Sequence, residues 1–191
     1  EFDLRHVFTE EMEDAAAAVS LPELGKREDL RATPLVTIDG EDAKDFDDAV
    51  FAEPAPENCW RIIVAIADVS TYVQSGDILD KEARQRGNSV YLPGTVIPML
   101  PEALSNGLCS LRPHEDRACL AVEMVIDSAG NKQSHKFFQA LIRSSARLTY
   151  TLVQQVIDGS LDEADCKVTP GTLHHLISAY RIPVSYTHLT L

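Results

Sequence analysis

The sequence predicts an α+β fold, a mixed and mainly antiparallel sheet flanked by helices. Three observations point there. Apolar, strand-like runs recur with links of hairpin length rather than the long crossovers that parallel units need. Short stretches bounded by helix caps and stops lie between those runs. No self-similar segment recurs at a period of about 20–50 residues, which sets aside solenoids and propellers.

Thr9 predicts a helix N-cap, with Glu10, Glu11 and Glu13 in the first turn, where acids favour the helix dipole. An alanine-rich run continues that helix to Val19, and Pro22 and Gly25 end it. After a charged stretch, Lys26–Arg31, comes Pro34 and a short strand over Leu35–Ile38. A second strand is expected over Ala49–Ala52, with Pro54 and Pro56 breaking the chain into a loop after it. Trp60–Val69 is apolar almost throughout, which predicts a strand buried on both faces.

Leu79–Arg86 reads as a short helix stopped by Gly87, followed by a brief strand, Val90–Leu92, and a Pro93-Gly94 turn. Pro101 suits the first turn of another short helix ending near Gly107. Ala118–Ile126 and Gln133–Ile142 flank Asp127–Asn131, whose Gly and Asn suit a hairpin loop. Thr149 or Thr151 caps a helix running to Asp158, and a last helix covers Thr172–Arg181.

Composition narrows the class of protein. The 191 residues are 45% hydrophobic and 25% charged, with 9 Gly and 10 Pro, which excludes collagen-like and low-complexity chains. No apolar run reaches the ~20 residues of a membrane helix, and the opening Glu1-Phe2-Asp3 lacks a basic flank and apolar core, so neither membrane insertion nor a secretory leader is expected. Cys59, Cys109, Cys119 and Cys166 form no CxxC pair. They read as reduced thiols in a cytoplasmic protein. The net charge of −13 taken alone disfavours a nucleic-acid binder and permits a site that gathers divalent cations.

The local pattern is more informative. Asp39, Asp45, Asp47 and Asp48 sit within ten residues at the junction of two expected strands, with Glu41 and Asp42 among them. Like charges at this density repel unless something positive sits among them, and hard dications such as Mg²⁺ take oxygen ligands. A calcium helix-loop-helix counted from Asp39 needs Gly sixth and Glu twelfth; Lys44 and Val50 stand there, so that reading fails. A solvated acidic loop is the plain alternative, weakened because apolar strands clamp the run on both sides.

The run Pro34-Leu35-Val36-Thr37-Ile38-Asp39-Gly40-Glu41-Asp42-Ala43-Lys44-Asp45-Phe46-Asp47-Asp48-Ala49-Val50 resembles the catalytic signature of the ribonuclease II and ribonuclease R family, the RNB domain. Further blocks fit in order: Val64–Ser70, Asp80–Pro93, Ile97–Pro101, Leu104–Leu111 and Ser145–Tyr150. The wording is nearest the ribonuclease R branch, and it covers the chain to about residue 180. The resemblance implies hydrolysis of single-stranded RNA processively from the 3′ end to nucleoside 5′-monophosphates. It also implies Mg²⁺, with Mn²⁺ as a substitute, held by aspartates. By motif, Asp39, Asp45, Asp47 and Asp48 match the family's active-site aspartates, and Asp47 the one essential for turnover. Tyr91 would by itself be an ordinary strand aromatic; by motif it matches the tyrosine that stacks on a base.

Other groups carry less. Lys81, Arg84, Arg86, Arg143 and Arg147 are candidates for phosphate contact, with surface salt bridges an equal alternative. His174 and His175 are adjacent, which splays them around a helix, and no Gly-x-Ser-x-Gly elbow exists for a serine hydrolase. Thr71 stands where the family often has a bulky His or Tyr. Three divisions are expected: residues 1–30 as a helical lead-in, 31–181 as an RNB-like catalytic domain truncated at its C-terminus, and 182–191 as a non-native tail. The missing part would carry a transition-state arginine, further RNA-clamping aromatics and flanking β-barrels, and the complete protein is expected to be a monomer. The alternatives are an inactive RNB-like module that binds RNA or a partner, and a plain metal-binding structural protein.

Overall fold

A computed structural model describes residues 5–182 of the chain. All but the first residue of the expected tail, and the first four residues of the lead-in, lie outside the described residues. Nine strands, β1 (Glu28–Asp29), β2 (Val36–Asp39), β3 (Asp48–Ala55), β4 (Cys59–Ala67), β5 (Val90–Leu92), β6 (Thr95–Ile97), β7 (Asp116–Ile126), β8 (Lys132–Arg143) and β9 (Ala146–Thr149), form two sheets. Four α-helices accompany them: α1 (Glu10–Ala18), α2 (Ile78–Arg86), α3 (Tyr150–Ile157) and α4 (Thr172–Tyr180).

The main sheet has the order β1-β8-β7-β4-β3-β2-β9, and β5-β6 form a separate hairpin. Its centre, β8-β7-β4-β3-β2, is antiparallel throughout; short links join β2 to β3, β3 to β4 and β7 to β8, whereas residues 68–115 lie between β4 and β7. Both edges are parallel: β1 beside β8, and β9 beside β2 with Asp39 opposite Thr149. These edge strands carry no apolar run long enough to announce a strand, and tertiary pairing alone makes them strands.

The expected caps are present. Thr9 accepts the Met12 N–H at 3.4 Å, and Thr149, rather than Thr151, accepts the Leu152 N–H at 3.1 Å. Gly87 ends α2 as expected, at φ +81°, a conformation that costs a residue with a Cβ, and Asp77, which the sequence reading does not name, caps its start. Pro101 does not start an α-helix. Ala103–Leu108 wind as a π-helical turn, with the Cys109 N–H reaching the Leu104 carbonyl.

Two expectations about the sheet are corrected. Pro54 does not break β3, which continues to Ala55 with Pro54 opposite Trp60. Beyond Val50 that strand has a neighbour on one side only, where a missing N–H is tolerated. Nor is β4 buried on both faces. Ile63, Ala65 and Ala67 are buried, whereas Ile66 is 46% exposed, next to Leu120 at 48%. Val69 belongs to a 3₁₀ turn after the strand.

The core follows from this asymmetry. One face of the sheet, carrying Phe51, Ile63, Ala65, Cys119 and Ala140, joins Ala16 of α1, Leu79 of α2 and Leu104 in one buried cluster. The expected lead-in helix thus packs into the same core as the strands. A second cluster, Val36, Ala146 and Leu148 with Leu173 and Cys166, lies under α3 and α4. Beside it runs an open apolar groove of ≈ 1180 Å³, walled by Ile62, Met124 and Ile126 on the sheet and Val153, Ile177 and Tyr180 on the helices. No helix of the described residues is long and apolar enough to cross a membrane.

Candidate active site

Asp39 ends β2 and Asp48 begins β3, so the two outer aspartates sit at adjacent ends of neighbouring antiparallel strands. The loop between them carries Asp45 and Asp47. Its shape comes from one buried ring and a set of backbone hydrogen bonds. Phe46 is 8% exposed and packs in the main core, while Asp45 on one side is half-buried and Asp47 on the other reaches solvent. The Asp47 carbonyl accepts the Ala67 N–H at 2.9 Å, and the Phe46 carbonyl accepts the Leu111 N–H at 2.8 Å. Arg147, from β9, donates to the Gly40 carbonyl at 2.7 Å and to the Glu41 carbonyl beside it.

The carboxylates feel one another. Asp47 is pushed above the ordinary carboxylate range, first by desolvation and then by the charges of Asp45, Asp48 and Asp39. Asp48 is raised as well, by desolvation and by Asp39. The Asp39 carboxylate accepts the Gly40 N–H at 2.7 Å. Four hard oxygen donors, two of them with raised proton affinity, suit a dication by donor chemistry. Among the described residues, however, no three His, Cys, Asp or Glu side chains converge to metal-binding geometry. The four aspartates share a neighbourhood without forming a closed coordination shell.

Tyr91, on the β5–β6 hairpin, reaches this neighbourhood. Its hydroxyl donates to Asp45 Oδ2 at 2.6 Å while the side chain stays 64% exposed. That bond, with some desolvation and the charges of Asp45, Asp47 and Asp39, pushes the phenol up to about 12. The ring is therefore available at the rim of the acidic loop, held by its polar end.

The basic candidates have other engagements. Arg86 is a strut: its nearly buried guanidinium binds Glu82 at 2.9 Å and the carbonyls of Arg5, Val7 and Pro98. Arg84 pairs with Asp80 and Arg143 with Asp116. Arg147 serves the loop backbone, and Lys81 stands exposed on α2. Of the adjacent histidines, His174 meets Glu163 and His175 packs edge-on against Trp60. Reasoning from sequence missed Ser110, whose hydroxyl also binds the loop. It lies inside the Leu104–Leu111 block, but nothing in that block signals where its hydroxyl points.

Three comparisons bear on this geometry. The sequence profile of the RNB domain matches residues 27–182. Ribonuclease R of Vibrio cholerae serotype O1 is 53% identical over 158 residues, covering 81% of this chain and 19% of its own. Ribonuclease R of Escherichia coli K12 is 51% identical over 164 residues, covering 84% and 20%. The chain thus spans about a fifth of the length of these curated relatives. The structure of Mycoplasma genitalium RNase R in complex with ribose-methylated single-stranded RNA superposes with a TM-score of 0.86 at 31% identity, covering 93% of this chain and 28% of that one.

Proposed function

Because this chain belongs to the RNB domain family, we propose that it is the part of a 3′→5′ exoribonuclease that carries the acidic catalytic loop. The substrate is single-stranded RNA, shortened processively by nucleoside 5′-monophosphates. The observation that carries the reading is the loop itself: Asp39, Asp45, Asp47 and Asp48 held at one junction of the sheet, with Asp47 crowded by the other three.

The reaction is hydrolysis. A water oxygen bonds to phosphorus, the P–O3′ bond breaks, and the shortened strand keeps a 3′ hydroxyl while the phosphate leaves on the terminal nucleoside. We assign Asp39, Asp45, Asp47 and Asp48 to hold Mg²⁺, or Mn²⁺ in its place. Such an ion, when bound, supplies positive charge to the scissile phosphate and makes water a stronger nucleophile. The remaining contributions belong to the chain. Ala67, Leu111 and Arg147 fix the loop backbone, so the carboxylates need little reorganisation on binding. Tyr91 offers an exposed ring at the loop's rim, on which a base of any identity stacks. We place this activity in the cytoplasm, a reading supported by the four free cysteines.

The alternative is an RNB-like module that binds RNA without cutting it, a reading that the presence of all four aspartates argues against. Release of mononucleotides from 3′-labelled single-stranded RNA separates the two. It is measured on this chain and on a chain extended to the length of its relatives. The first reading expects release that Asp47→Asn abolishes while RNA binding persists. Binding without release by the extended wild type supports the second.

A further inference from the structure

The acidic loop is held from beneath by one buried hydroxyl. Ser110 Oγ donates to the Lys44 carbonyl at 2.7 Å and accepts the Phe46 N–H at 3.0 Å, so it spans the backbone on either side of Asp45. The next residue, Leu111, donates its N–H to the Phe46 carbonyl at 2.8 Å. Three hydrogen bonds therefore lash residues 44–46 to residues 110–111. Ser110 is 0% exposed. Water cannot replace its hydroxyl without opening the core, and removal leaves the buried Phe46 amide unpaired and deprives the part-buried Lys44 carbonyl of its donor.

Ser110 is itself held in place. Its N–H donates to the Gly107 carbonyl at 3.1 Å, at the end of the π-helical turn. Its carbonyl accepts Arg117 Nε at 2.8 Å, and Arg117, 7% exposed, is anchored further by the Asp116 carbonyl and Glu115. The Phe46 ring points into the core between Asp45 and Asp47, whose carboxyl groups remain accessible. A clamp on the Phe46 backbone thus sets where both neighbouring carboxylates start from.

Resting on the reading of this loop as the metal-holding element, we infer that Ser110 is a positioning residue: its hydroxyl sets the spacing of Asp45 and Asp47 for a dication. It touches neither RNA nor metal. Alanine deletes both bonds, cysteine keeps nearly the same volume with weak ones, and each change acts on the carboxylates only through the loop backbone.

The test is a Mn²⁺ titration followed by electron paramagnetic resonance, on wild type, Ser110→Ala, Ser110→Cys and Ile63→Val. Ile63 is buried in the same core but makes no contact of this kind with the loop, so its variant reports general destabilisation. The expected result is a Mn²⁺ Kd weakened about tenfold in Ser110→Ala and by a smaller factor in Ser110→Cys. The number of ions bound at saturation is retained, and Ile63→Val stays within about twofold of wild type. Circular dichroism confirms folding, and if Ser110→Ala does not fold, Ser110→Cys carries the comparison. A wild-type Kd in the folded Ser110 variants overturns the positioning role alone, as does an equal loss in Ile63→Val. A wild type that binds no Mn²⁺ overturns the metal reading of the loop, and the inference with it.

Discussion

The Tyr91 hydroxyl donates to Asp45 Oδ2 at 2.6 Å, joining the first strand of a two-stranded hairpin to the acidic loop across 46 residues of sequence. One side chain thus has two separable parts: a ring open to solvent and a hydroxyl committed to a carboxylate. Tyr91→Phe keeps the ring and loses the bond, whereas Tyr91→Ala loses both. RNA affinity is expected to stay near wild type in the first and to fall by about 1–3 kcal/mol in the second. Fluorescence anisotropy with a labelled single-stranded oligonucleotide checks this. Equal losses in the two variants would assign the effect to the hydrogen bond instead of to stacking.

The same bond predicts a titration. The phenol of Tyr91 is raised to about 12, its bond to Asp45 being the first cause. The tyrosinate absorbance lost on Tyr91→Phe should therefore have its midpoint at about 12, and between that and the ordinary value of 10 when Asp45→Asn is the background, because desolvation and the charges of Asp47 and Asp39 remain. The unfolded phenol ionises at the lower value, so this group's contribution to stability is complete below about pH 10. It disappears as the pH climbs toward the folded value.

Asp47 illustrates a conflict between stability and function. Its folded pKa lies above the ordinary value, through desolvation and then the charges of Asp45, Asp48 and Asp39. Its ionisation therefore destabilises the metal-free fold at neutral pH, a penalty relieved as the pH falls through the raised pKa. Asp47→Asn should stabilise the metal-free chain at pH 7, with solvent screening holding the gain below about 1 kcal/mol. Mg²⁺ or Mn²⁺ at 100 times Kd should raise wild-type stability by about 2.7 kcal/mol and the variant by less. Thermal melts with and without metal measure both.

Asp68 sits at the opposite extreme. It is 5% exposed and receives Arg27 at 2.8 Å, with Ser70, Thr71 and Gln139 around it. Burial works to raise its pKa, but the bonds from Ser70, Thr71 and Arg27 outweigh it and the carboxyl is lowered. Its stabilising contribution is present above the unfolded value near 3.8 and is lost as the pH falls through the folded one. Asp68→Ala strands a buried guanidinium and should cost about 3–5 kcal/mol in urea unfolding at pH 7, with a smaller difference at acid pH.

Glu163 anchors the last helix. Its carboxylate, 6% exposed as a residue, accepts the N–H groups of Gly171 and Leu173 at 3.1 and 2.5 Å and meets His174. Glu163→Ala leaves those donors unpaired and should cost about 1–3 kcal/mol, with earlier amide exchange in α4 than elsewhere. Glu163→Gln, which keeps acceptor oxygen and shape, should recover part of that loss.

Much of this molecule is written in short-range patterns. The threonine cap at Thr9, the glycine after Arg86, and the apolar runs around Asp127–Asn131 place α1, α2 and the β7–β8 hairpin within a residue or two. The spacing of Asp39, Asp45, Asp47 and Asp48 between two strands marks the candidate site and, by resemblance, its family. These features are legible because each depends on neighbours a few residues away.

Other features came only from the tertiary structure. The β1 and β9 edges are strands because β8 and β2 offer them hydrogen-bond partners, and the second face of β4 is covered by α4 near Trp60 but left open at Ile66. Tyr91 meets Asp45, Ser110 meets Lys44 and Phe46, and Arg147 meets Gly40 over separations of 46, 66, 64 and 107 residues. Sequence alone determined which carboxylates are present and how far apart they lie along the chain. The fold decided how the loop that bears them is held, because a hydroxyl or guanidinium finds its partner through packing of distant strands, for which local sequence has no sign.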